Sequence, residues 1–171
     1  MLSLGAMPAE NTSTEAKLKA AYLYKFCLYV EWPETAFKAP STPLTIGVTE
    51  DDNISTTLRQ IVAGRTVNQR AILVRRINAG DTLDDIQVLY LGHADVIEAQ
   101  ELLAEKAAER PILTVAEQSL TTVSAIMRFV LDENRIRFDV ELDRAEQSGL
   151  HLSAELLSVA RLVNRKTVSP E

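Results

Sequence analysis

Apolar and aromatic positions crowd into one stretch of the chain, LKAAYLYKFCLYVEWPETAF from Leu18 to Phe37. It holds six of the nine aromatic residues: Tyr22, Tyr24, Phe26, Tyr29, Trp32 and Phe37. Leu18, Tyr22, Phe26 and Tyr29 recur at helical spacing, and Leu23, Cys27 and Val30 do so on a second face. The pattern predicts a helix from near Thr14 to about Glu31. Thr12 and Glu15 stand at capping-box spacing before it, and Pro33 pushes Trp32 out of helical geometry after it. A helix that is apolar most of the way round is buried on more than one side, so its second face should meet another element or another chain. The second face and the Trp32-Pro33 exit are the places for contact with another chain, with Tyr24, Trp32, Pro33 and Phe37 as the candidate partner-binding residues; packing within the chain is the first role to expect of Tyr22, Phe26 and Trp32.

Beyond a Pro- and Ser-containing loop from Glu34 to Pro43, the alternation of runs reads as strand and helix in turn. LTIGVT (Leu44 to Thr49) is a buried strand. Ile54, Leu58, Ile61 and Val62 mark a helix that starts beside Asp51, Asp52 and Asn53 and stops at Gly64. Val67 to Gln69 is a weak strand and Ile72 to Ile77 a stronger one. Asp81 to Asp85 could hold one helical turn, and QVLYLG (Gln87 to Gly92) is a continuous apolar strand. Asp95 to Glu109 reads as a surface helix with Val96, Ala99, Leu103 and Ala107 near one face, and Pro111 opens the strand ILTVAE. Strand, helix, strand places a parallel sheet here. Ala125 to Asp132 and Arg135 to Leu142, separated by Glu133 and Asn134, form a hairpin with one solvated face. A short helix from Asp143 to Ser148 should end at Gly149, and Ser153 should cap a last helix over AELLSVARLV, with Leu156, Leu157, Ala160 and Val163 facing inward. The resulting class is α/β: a single domain with a mixed, mostly parallel sheet, helices on both faces and a C-terminal antiparallel hairpin. Residues 1–12 are expected to be a disordered segment or the remnant of a signal peptide, 13–166 the domain, and 167–171 a frayed tail.

Charge and composition then remove several classes of function. Twenty-four acidic against 18 basic residues give a net charge of -6, which disfavours nucleic-acid binding. The unbroken apolar run from Phe26 to Val30 lies between Lys25 and Glu31, far short of the roughly 20 residues that insertion into a membrane requires. The single cysteine, Cys27, cannot form an internal disulfide and reads as a small core hydrophobe. No glycine pattern for cradling phosphates occurs, and no cofactor is implied. His93 and His151 lie too far apart in sequence to suggest a metal site. His93 follows the strand QVLYLG, at the end where open α/β sheets hold ligands, with Asp95 close enough to orient its ring; an exposed histidine in a helix cap is the alternative. Asp51-Asp52 and Asp84-Asp85 resemble acid pairs but read first as helix-start charges. Arg75 and Arg76 alternate faces of a strand, at a ligand anion or at a solvated edge. No nucleophile, base and orienting group assemble, so no enzyme is expected.

The segment YLYKFCLYVEWP, Tyr22 to Pro33, resembles the aromatic N-terminal signature of the YfiR family. LTIGV, LYLG, PILTVAE and IRFDVELDRAEQSGLHLSAELLSVARLV are similar to later segments of that family in the same order, so the likeness runs from Leu18 to Val163. The chain departs from the pattern at Ile86 and Gln87, where relatives often carry a cysteine, and at Val123 and Ser124, where many have a Gly-Gly pair. A disulfide-dependent redox role is therefore excluded. The resemblance implies a non-enzymatic periplasmic protein, dimeric, that binds the periplasmic part of an inner-membrane diguanylate cyclase and represses it, lowering cyclic di-GMP and biofilm formation. The alternative is a periplasmic small-molecule sensor or solute-binding module built around His93 and Asp95.

Overall fold

The apolar runs pair into one eight-stranded sheet in a computed structural model that describes residues 6–49, 52–78, 80–92, 96–107 and 110–165. The strands are β2 (Leu44–Thr49), β3 (Thr66–Val67), β4 (Arg70–Ile77), β5 (Val88–Leu91), β6 (Leu113–Ala116), β7 (Met127–Asp132), β8 (Arg135–Glu141) and β10 (Leu162–Asn164). Their order is β10-β8-β7-β6-β5-β2-β4-β3. Every neighbouring pair is parallel except the hairpins β7–β8 and β3–β4. A separate antiparallel pair joins β1 (Val30–Glu31) to β9 (His151–Leu152). All residues of β2, β5 and β6 are buried, which is why these strands read as unbroken apolar runs: crossover elements cover both faces of a parallel sheet.

Two cores result. On one face, α1 (Ala6–Tyr29) and α2 (Asp52–Val62) pack Leu23, Phe26, Cys27 and Leu58 against Ile46, Val88, Tyr90, Phe129 and Phe138. On the other, α3 (Val96–Glu101) and the π-helical turn that continues it (Leu102–Ala107) cover Ile77, Leu89, Leu91 and Ala116. Glu133 and Asn134 adopt positive φ (49° and 65°) at the β7–β8 turn, as a two-residue hairpin loop with right-handed strand twist demands. Gly64 and Gly149 do so where α2 and α4 (Leu142–Gln147) end.

Several local expectations are revised. Helix α1 opens at Ala6, ahead of Thr14, so Thr12 and Glu15 lie within it rather than at its cap. Asp81 to Asp85 forms turns without a helix, and the weak strand near Val67 is confined to Thr66–Val67 because Asn68 and Gln69 turn the chain with positive φ. In the surface helix, Leu102 at the start of the π turn is buried beside half-buried Leu103, and Val96 at the start of α3 is exposed. The last helix, α5 (Ala154–Val159), stops early. Its continuation forms β10, with Arg161 N–H donating to Phe138 O at 2.8 Å and its guanidinium gripping Asp139 at 2.9 and 2.6 Å. Val163 is consequently 40% exposed instead of facing inward. A short helix gains little from further turns, whereas the open edge of β8 offers a row of unpaired backbone groups.

Candidate partner-binding face

The face predicted at the end of α1 is built by three constraints. Pro33 ends the helix region, and Val30 and Glu31 register with Leu152 and His151, while Ser153 N–H donates to Tyr29 O at 3.0 Å. A short 3-10 turn, Glu34–Ala36, then swings Phe37 back toward the sheet. Gln87, only 1% exposed, pins this loop: its amide oxygen accepts from Thr45 N–H at 2.7 Å and its amide nitrogen donates to Ala36 O at 2.9 Å. Trp32 Nε1 donates to Gln87 O at 3.0 Å, which seats the indole with one edge in the core and the other toward solvent.

Trp32 and Phe37 meet in a small cleft of about 260 Å³ shared with Glu31, Asn68 and Arg70. The Arg70 guanidinium lies 3.6 Å from the Phe37 ring centre and donates to Ala39 O and Thr42 O at 3.0 and 2.7 Å, so it holds both the ring and the loop. Tyr24 is not in that cleft. It stands one turn before Cys27 on α1, with the Arg65 guanidinium 5.3 Å from its ring centre. Pro33 is half-buried and packs toward Gly149. Tyr24, Trp32 and Phe37 thus pack against the core and stay partly at the surface, and two of these rings carry an arginine. Sequence patterns singled out the aromatics but not Arg65 and Arg70, whose partners are remote in the chain.

Along the other flank of α1, Leu18 and Tyr29 are 47% and 38% exposed, so the first apolar set is covered only in part. Tyr22 and Phe26 are covered within the chain by Phe129 and Phe138, at ring separations of 5.0–6.2 Å. A cleft of about 400 Å³ opens there between Tyr29, Lys25, Glu155 and Val159.

The remaining candidates resolve differently. His93, Asp95 and Asp51 lie outside the described residues. Asp84 and Asp85 serve ion pairs, with Arg110 at 3.2 Å and Arg75 at 2.8 Å. Arg76 is exposed. Cys27 sits under the Trp32 cleft, donates to Leu23 O at 3.4 Å, and its thiol is pushed up to about 12 by burial, so it is no nucleophile at neutral pH. Among the described residues no group of three or more His, Cys, Asp or Glu side chains could hold a metal, and no helix is long and apolar enough to cross a membrane.

One polar network escaped the sequence reading. Lys19, 8% exposed, donates to Glu117 Oε1 at 2.7 Å, and the Tyr90 hydroxyl donates to Glu117 Oε2. A signal existed: Lys19 stands three residues after Ala16 and four before Leu23, on the buried stripe. Arg128 fastens the loop after β6 by donating to the carbonyls of Glu117 (3.3 Å), Leu120 and Val123, and burial lowers its pKa from the usual arginine range.

These features define the class: a mixed α/β domain whose arginine-flanked aromatics are shared between core and surface. The YfiR/HmsC-like family profile matches residues 16–161, and the chain belongs to that family, one of periplasmic regulatory proteins. A search of curated proteins finds no match.

Proposed function

We propose that this protein is a non-enzymatic periplasmic repressor that binds the periplasmic part of an inner-membrane diguanylate cyclase and holds it inactive. The observation that carries the reading is the family match over residues 16–161, which takes in both the aromatic end of α1 and the closing hairpin. Tyr24, Trp32, Pro33 and Phe37 form the contact face in this proposal. Its half-exposed rings, two of them flanked by Arg65 and Arg70, suit a partner segment that is apolar with acidic residues at its rim. Repression then requires tighter binding to the inactive state of the cyclase, since a ligand shifts an equilibrium only through differential affinity. The protein acts as a homodimer in the same reading, with the outer flank of α1 as the interface.

Deletion of the gene in its host should raise cyclic di-GMP and biofilm. Trp32→Ala with Phe37→Ala should reproduce that phenotype and abolish capture of the cyclase from solubilised membranes, with the secondary structure retained. Unchanged cyclic di-GMP on deletion, together with membranes that yield no signalling protein, would sink the proposal. A monomer by light scattering at micromolar concentration would remove the dimer alone.

A further inference from the structure

On the side of the sheet that carries α3, an open cleft of about 390 Å³ lies between the π-helical turn and α4. Its floor is apolar, with Ile112 and Ile126 only 2% and 3% exposed, and its rim carries Gln100, Arg144 and Gln147. No carboxylate lines it among the described residues. Such a floor, with a few convergent polar groups, is the usual make-up of a small-molecule site.

Two side chains in the cleft have hydrogen-bonding capacity that no described residue takes up. Arg75, Arg161 and Arg165 each grip a carboxylate, whereas the Arg144 side chain makes no hydrogen bond or ion pair with any described residue. Thr114, 5% exposed, accepts the Ile126 N–H at 2.8 Å, and its own hydroxyl proton has no acceptor among the described residues. One wall of the cleft is the π turn. π-helical turns occur mostly as isolated departures from α geometry and are frequent at functional sites.

We infer that this cleft binds a small carboxylic acid with an apolar body. The carboxylate pairs with Arg144, the body lies on Ile112 and Ile126, and Thr114 donates to an oxygen of the ligand. A guanidinium recognises a carboxylate by paired, charge-assisted hydrogen bonds, so the negative charge dominates selectivity.

The test uses the full chain with hexanoate and 3-phenylpropionate as probes, against hexanamide and 3-phenylpropionamide, read by amide chemical shifts of the cleft residues and by thermal shift. The acids should bind with Kd below about 1 mM, and each amide roughly tenfold more weakly. Arg144→Gln should cost the acids a similar factor and leave amide binding and the melting temperature unchanged, because the Arg144 side chain is exposed and has no partner among the described residues. Equal affinity for acid and amide, unchanged acid affinity in Arg144→Gln, or no response of the cleft to either acid at several millimolar would overturn the inference.

Discussion

Replacing Lys19 by Met tests whether the hidden network is a structural element of the core. The Lys19 and Glu117 side chains are only 10% and 14% exposed, while the second acid near Lys19, Glu15, is 50% exposed and contributes little. Breaking a buried pair by removing one partner costs about 3–5 kcal/mol, and an exposed pair is worth less than about 1 kcal/mol. Met keeps the aliphatic stem in place. Glu117 would keep the Tyr90 hydroxyl as donor, and it borders a cavity of about 490 Å³ from which water can reach it. The expected loss is therefore about 2–3 kcal/mol, below the full buried value. At ~2–4 °C per kcal/mol for a chain of this size, the melting temperature should fall by about 4–12 °C. Adding Glu117→Gln removes the stranded charge and should return stability to within about 1 kcal/mol of the parent. Urea unfolding followed by far-ultraviolet circular dichroism measures all three proteins. A loss under about 0.5 kcal/mol for Lys19→Met, or a double variant no more stable than the single, would refute the argument.

Gln87→Leu should cost about 2–4 kcal/mol in denaturant unfolding, because it strands the Thr45 N–H and the Ala36 carbonyl together; a loss below 1 kcal/mol would mean that water replaces both bonds. Gly47→Ala places a Cβ 2.6 Å from Ile77 Cγ1 and 2.9 Å from its Cδ1, with Ile86 Cδ1 at 3.2 Å. Such overpacking should cost about 1–3 kcal/mol by thermal unfolding, and undiminished stability would show that Ile77 yields without strain. Cys27 should resist thiol reagents at pH 8 until the chain unfolds; rapid labelling of the native protein would contradict its burial. Its pH linkage follows from the direction of the shift. The folded thiol, at about 12, holds its proton where the unfolded thiol, near 9.0, has lost it. Stability should therefore fall as pH rises above about 9, with no contribution from Cys27 below that, and Cys27→Ala should lack this component in a pH series of unfolding curves.

The candidate face was legible in part. Trp32 and Phe37 could be grouped because Pro33 forces a turn between them, and the cleft does bring them together; Tyr24 lies apart on α1, packed under Arg65. Arg65, Arg70 and Gln87 were not legible, since Gln87 reaches Ala36 across 51 residues and Arg70 reaches Thr42 across 28. The Lys19–Glu117 pair spans 98 residues. No spacing rule reaches that far.

By itself the chain determined the strands LTIGVT, VLYL and LTVA, the Glu133-Asn134 hairpin, the stops at Gly64 and Gly149, and the two-sided burial of much of α1. Each of these depends on neighbours a few residues apart, through side-chain periodicity and the backbone angles that proline and glycine allow. Only the tertiary structure decided the sheet order, the π turn, the placing of Leu162 and Val163 in the edge strand Leu162–Asn164 rather than in the last helix, and the partners of Lys19 and Gln87. Those outcomes turn on which backbone and polar groups a segment meets once the sheet has closed. A few remote hydrogen bonds, at about 1 kcal/mol each, outweigh local preferences of a few tenths.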